Sequence, residues 1–184
     1  QVDGMPLVEP AYALLGVAAH HGFRQAVVAL DAALRQELVC EARLDAALGK
    51  STRRIGRGVL AAARAAADPK SESPGESLTR LLLHDLGYAV QSQAEVTASS
   101  PRFRARVDFL LESHWVVIEF DGLVKYAAAR GEANRSALIR EKAREDRLRS
   151  LGFEVVRLVW ADLDKPDRVR ELIDAACRRA AQRH

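Results

Sequence analysis

The sequence predicts an α/β protein, a mixed β-sheet flanked by helices and preceded by a small all-helical region. Three observations carry this expectation. Residues 104–121 alternate apolar and polar side chains with β-branched and aromatic enrichment, the mark of half-buried strands. A charged helical stretch then separates that segment from a last strand-like run, and a strand–helix–strand order implies a crossover to a parallel strand. Finally, Asp68-Pro-Lys-Ser-Glu-Ser-Pro-Gly75 is dense in breaker residues and divides an Ala/Leu-rich helical part, 1–68, from the α/β part, 69–184.

Composition bounds the function classes. The 184 residues suffice for one domain or two small ones, and 48% hydrophobic with 29% charged residues is ordinary for a globular chain. A formal charge of +3 permits nucleic-acid binding without requiring it. No apolar run is long enough to cross a bilayer, so no membrane partner is expected. Cys40 and Cys177 fit neither a disulfide framework nor a zinc pattern, which points to a reducing compartment and a cytoplasmic location. The chain opens on Gln1 rather than Met and is expected to begin partway through a longer polypeptide.

In chain order, Pro10 suits the first turn of a helix over 11–20, which Gly22 interrupts; His20 and His21 end that helix. A second helix is expected over 24–36 with Ala26, Leu30, Ala33 and Leu34 as its apolar stripe, and a third over 41–48. Ser51–Gly58, with Arg53, Arg54 and Arg57 between glycines, reads as a solvated loop, and Val59–Ala67 as a helix. Ser73-Pro-Gly-Glu76 is a capping box opening a helix that stops at Gly87. Tyr88–Thr97 is a strand. The alternating segment follows as a hairpin turning at Ser113–His114, then a loop over 127–134, a charged helix over 135–151, a strand over 153–160 and an amphipathic helix over 167–183. Trp115 and Trp160 are expected in the core.

A two-residue turn at Ser113–His114 sets Asp108 opposite Glu119 and Arg106 opposite Asp121, whereas a three-residue loop would set Asp108 against Ile118. Directly opposed residues bring their Cβ atoms to roughly 4.5–5.5 Å, where like charges repel. Two carboxylates so placed invite a hard divalent cation. The plain alternative is that Arg106 pairs with Asp121 and the acids are solvated. On the first reading, removing one acid should raise stability in metal-free buffer. The opposite face, Val107–Phe109–Leu111 with Val116–Ile118–Phe120, is uniformly apolar and calls for a covering helix.

The order Glu76 on a helix, Asp108, Glu119, a charged helix and a Val-Val-Arg strand resembles the PD-(D/E)XK nuclease superfamily. The closer likeness is to its very-short-patch-repair-endonuclease-like branch. Glu-Phe-Asp-Gly-Leu-Val-Lys-Tyr (119–126) and the string over 141–157 look like the C-terminal domain of actinobacterial proteins related to AbiEi type IV antitoxins. Leu30-Asp31-Ala-Ala-Leu34 is similar to the middle region of those proteins, whose winged-helix N-terminus would precede Gln1.

The resemblance implies a restriction-endonuclease-like fold and a Mg²⁺- or Mn²⁺-dependent endonuclease acting on DNA. Asp108 and Glu119 match the metal-binding acids, with the Phe120 carbonyl as a further ligand, and Glu76 matches the acid contributed by the first core helix. The superfamily's Lys two residues after the Glu is here Asp121. Lys125 is the candidate to replace it, with Asp121 binding a second metal or holding Lys125. Arg102, Arg104, Arg106 and Arg144 are the candidate DNA contacts. Against the Glu76 role stands its use in the capping box. Glu141, Lys142, Glu145 and Arg149 read as a salt-bridged helix face. The second function class is a non-catalytic DNA-binding regulator, or an antitoxin partnered by a cognate toxin.

Overall fold

The computed structural model describes residues 8–50, 54–100, 102–122 and 132–183. The chain forms two compact units, Gln1–Leu81 and Leu82–His184.

The first unit is helical: α1 (Pro10–His21), α2 (Phe23–Arg35), α3 (Glu41–Lys50) and α4 (Arg54–Ala65). Gly22, at φ 82, lets the chain break sharply between α1 and α2. The core joins Leu14, Leu15 and Ala18 of α1 to Leu30 of α2, Leu44 of α3 and Leu60 and Ala63 of α4. Helix α4 already starts at Arg54, inside the stretch 51–58 expected as a loop. The reason lies in packing: a Cβ on Gly56 would stand 3.0 Å from both the Leu15 carbonyl oxygen and Ala19 Cβ, so glycine permits the close approach of α1 and α4.

A buried ion pair ties this unit together. Asp31, on the apolar stripe of α2, is 1% exposed. Its Oδ2 accepts from Arg80 Nη2 at 2.7 Å and its Oδ1 from the Asp68 N–H at 2.8 Å. Arg80 also donates to the Ala66 carbonyl. The breaker-rich stretch is thereby fixed at its start by a charge in the helical core.

Helix α5 (Pro74–Asp85) spans the division between the units. It is followed by β1 (Gln91–Ala98), β2 (Phe103–Leu111), β3 (Val116–Phe120), α6 (Glu132–Ser150), β4 (Glu154–Leu158) and α7 (Pro166–Ala181). The sheet order is β1-β2-β3-β4, with β1/β2 and β2/β3 antiparallel and β3/β4 parallel across the α6 connection. This is the mixed, helix-flanked sheet that the sequence predicts.

The β2–β3 register pairs Phe109 with Ile118, Leu110 with Val117 and Leu111 with Val116. The connection is not a two-residue turn but a 3₁₀ turn over Glu112–His114 with Trp115 left-handed at φ 56. A four-residue connection centred on the same two residues yields the same register.

Helix α6 packs on β4, and Leu148 joins a cluster with Leu110, Val117 and Val155. Helix α7 packs on β3 and β4, burying Val169, Ile173, Ala176 and Ala180. The expected apolar face is not uniform, for Val107 clusters with Leu110 and Val117. Between the pairs Ser92–Phe109 and Ala94–Val107, Gln93 takes φ 49, and a left-handed residue inside a strand re-aims the chain locally. Both tryptophans are also more exposed than expected, Trp115 at 41% and Trp160 at 46%.

Candidate functional site

The antiparallel ladder of β2 and β3 ends at the Phe109–Ile118 pair, and the next step along it opposes Asp108 and Glu119. There a side chain replaces a backbone partner: Asp108 Oδ2 accepts the Phe120 N–H at 2.8 Å. Beyond this point β3 still pairs with β4, since the Asp121 N–H donates to the Leu158 carbonyl at 2.8 Å. The strands therefore part on one side while the sheet continues on the other.

A pocket of about 350 Å³ opens there, lined by Arg106, Asp108, Glu119, Phe120, Asp121, Glu141, Arg144 and Arg157. Four carboxylates thus face three guanidinium groups. Below the pocket, the Phe120 ring meets Trp160 edge-on with centroids 5.0 Å apart, and Trp160 Nε1–H donates to the Gly122 carbonyl at 3.3 Å.

Glu119 is only 9% exposed and does not stand bare. Arg144 Nη2 donates to its Oε1 at 2.6 Å, and Arg157 Nη2 lies 3.6 Å from its Oε2. Parallel pairing explains the second contact, because Arg157 is the β4 neighbour of Glu119. Arg144 reaches in from α6, one turn after Glu141, to which it donates through Nε at 2.9 Å and Nη2 at 2.7 Å. Arg157 donates to Glu141 at 2.6 Å and to Glu145 at 2.9 Å. The Arg144 hydrogen bonds, opposed by burial and aided by Arg157, hold the Glu141 carboxyl down at about 2. Reciprocally, the Glu141 hydrogen bonds push the Arg144 guanidinium up, against burial and with help from Glu119.

The same lattice runs on along α6. Arg149 bonds Glu145 at 2.9 Å, the i, i+4 pair expected from the sequence. Glu154, 1% exposed at the start of β4, accepts from Arg179 of α7 at 2.9 Å.

The sequence candidates are therefore sorted. Asp108, Glu119, Phe120, Asp121, Arg106 and Arg144 meet at one pocket. Arg104 does not line it; its Nη2 pairs with Glu95 at 2.5 Å across the β1–β2 ribbon. Arg102 is an exposed turn residue before β2. Glu76 serves as the helix cap, accepting from Ser73 Oγ and the Glu72 N–H, each at 2.8 Å, while its own N–H donates to Ser73 Oγ. Lys125 lies outside the described residues. Among the described residues no group of three or more His, Cys, Asp or Glu is gathered as a metal site. Glu141 was expected on a salt-bridged helix face, whereas Arg157 was not singled out as a site residue by sequence reasoning. The available signal was the match of Val-Val-Ile-Glu119 with Glu-Val-Val-Arg157, two runs that each end on a charge when paired in parallel.

No family model matches the chain. It is 27% identical over 165 residues to an uncharacterized protein of Mycobacterium tuberculosis, in strain CDC 1551 / Oshkosh, and equally to one in strain ATCC 25618 / H37Rv. The aligned part is 89% of this chain and 58% of those proteins, so the chain spans a little over half of their length. Among solved structures, the catalytic domain of a homing endonuclease is similar with a TM-score of 0.39 and 20% identity, covering 54% of this chain and 89% of that domain. No described helix is long and apolar enough to cross a membrane.

Proposed function

We propose that the unit Leu82–His184 is a nuclease-type domain that hydrolyses DNA phosphodiester bonds with a divalent cation held by Asp108 and Glu119. The observation that carries this reading is their opposition, one step past the end of the β2–β3 ladder, at the mouth of a pocket that also holds arginines. Phosphoryl transfer asks a protein chiefly for positioning and charge stabilisation, and this pocket offers both.

The donors suit a hard cation in kind: two carboxylates and the Phe120 carbonyl, in a pocket whose carboxylates outnumber its guanidinium groups. They suit it in number when the rest of the shell is water, as Mg²⁺ prefers. When bound, Mg²⁺ or Mn²⁺ would polarise the phosphoryl oxygen and acidify a water molecule. The protein's own groups do the rest. The Phe120 N–H fixes the Asp108 carboxylate. Arg106 and Arg144 are proposed to grip non-bridging phosphate oxygens, as guanidinium forks do. Lys125 is proposed to orient the attacking water, with Asp121 steering its ammonium group. DNA is the proposed partner and the cytoplasm the proposed location.

A second reading rests on a specific observation. Arg144 and Arg157 already neutralise Glu119, an arrangement also suited to a non-catalytic DNA-binding regulator or an antitoxin that engages a toxin. Calorimetric titration with Mn²⁺ and Mg²⁺, paired with supercoiled-plasmid nicking, separates the two. The nuclease reading expects binding and nicking, both abolished in Asp108→Ala with Glu119→Ala. A protein that binds neither ion and leaves plasmid intact, yet shifts a DNA duplex, belongs to the second class.

A further inference from the structure

We propose that Glu119 acts as an internal clamp that holds Arg144 away from the nucleic-acid phosphate. A divalent cation at Glu119 would release it. The clamp deepens the preceding reading, and its cation-driven release rests on it. The geometry supplies three supports. Arg144 spends its guanidinium on two carboxylates at once, Glu119 at 2.6 Å and Glu141 at 2.7 Å. Arg157 spends its own on Glu141 and Glu145 while staying 3.6 Å from Glu119. Both arginines nevertheless line the open pocket, with side chains 26% and 34% exposed, so they can be reached from solvent.

Charge sets the sign of the coupling. A carboxylate that binds a divalent cation gives up most of its attraction for a guanidinium. Arg144 is then left beside Glu141 with bonding capacity to spare, and a phosphate oxygen is the matching acceptor. Cation and DNA should therefore bind with positive coupling, and thermodynamic reciprocity requires DNA to tighten the cation by the same factor.

The test is fluorescence anisotropy with a labelled DNA duplex, in EDTA and in Ca²⁺, using the chain as it stands. Glu119→Gln should bind DNA in EDTA about tenfold more tightly than wild type, the gain of one charge-assisted contact. Its salt slope should be steeper by about one counterion. That gain should vanish when Arg144→Gln is added, because general loss of negative charge would survive the second substitution. Glu141→Gln, which removes the other holder of Arg144, should also tighten binding in EDTA, and circular dichroism checks that each variant is folded.

Equal affinity of wild type and Glu119→Gln, or a gain that persists without Arg144, overturns the clamp. The two proposals fail separately. Calorimetric Ca²⁺ binding with no Glu119→Gln gain removes the clamp and leaves the cation site. An Arg144-dependent gain with no calorimetric binding of Ca²⁺, Mg²⁺ or Mn²⁺ keeps the clamp, removes cation release and sinks the nuclease reading.

Discussion

Replacing Glu119 by alanine should destabilise the α/β unit, the reverse of what two bare opposed carboxylates would give. Glu119 and Arg144 have side chains 12% and 26% exposed and meet at 2.6 Å. A charge-assisted bond of this kind contributes about 1.5–3 kcal/mol. Partial solvent access trims that figure, while a guanidinium left half-buried adds to the loss, so the expected cost is about 2 kcal/mol. For a unit of this size, that corresponds to a fall of roughly 10 °C in Tm. Both tryptophans, Trp115 and Trp160, belong to the unit Leu82–His184. Tryptophan fluorescence during thermal unfolding in EDTA therefore reports this unit and not the helical one. Asp108→Asn is the companion, since Asn keeps an acceptor for the Phe120 N–H and should shift Tm little. A rise in Tm for Glu119→Ala in EDTA would show that acid–acid repulsion dominates and that the arginine contacts contribute nothing.

Three further outcomes follow from the packing. The Glu141 carboxyl is held at about 2, so its contribution is complete above the ordinary carboxylate range and lost as pH falls from about 4.5 to about 2. Glu141→Gln should flatten that part of the stability profile by about 1 kcal/mol, after discounting for a side chain 35% exposed; urea unfolding at several acid pH values measures it. Asp31→Ala leaves Arg80 without its buried partner and should cost the helical unit about 3–5 kcal/mol, read by the loss of helical circular dichroism on heating. Gly56→Ala gains about 1 kcal/mol of helix propensity but forces a methyl within 3.0 Å of the α1 backbone, so a net loss of about 1–2 kcal/mol is expected in urea unfolding.

Much of the α/β unit was legible because its signals are local. Alternation fixes β2 and β3, the capping box fixes the start of α5, and the strand–helix–strand order fixes the parallel β3–β4 pair. The Asp108–Glu119 opposition was readable too, since a connection centred on Ser113–His114 sets the register whether it has two residues or four.

What sequence alone determined is thus which residues sit in strands, which helices flank them, and which acids share an edge. Tertiary structure alone decided what those acids touch. Arg157 meets Glu119 only because β4 lies in parallel register with β3, and Arg144 only because α6 crosses the same face. Period and propensity act over a few residues, whereas the charge that neutralises Glu119 comes from positions 25 and 38 residues further along the chain. Gly56 makes the same point in the helical unit: a helix breaker by local rules, it stays helical because another helix needs its missing side chain.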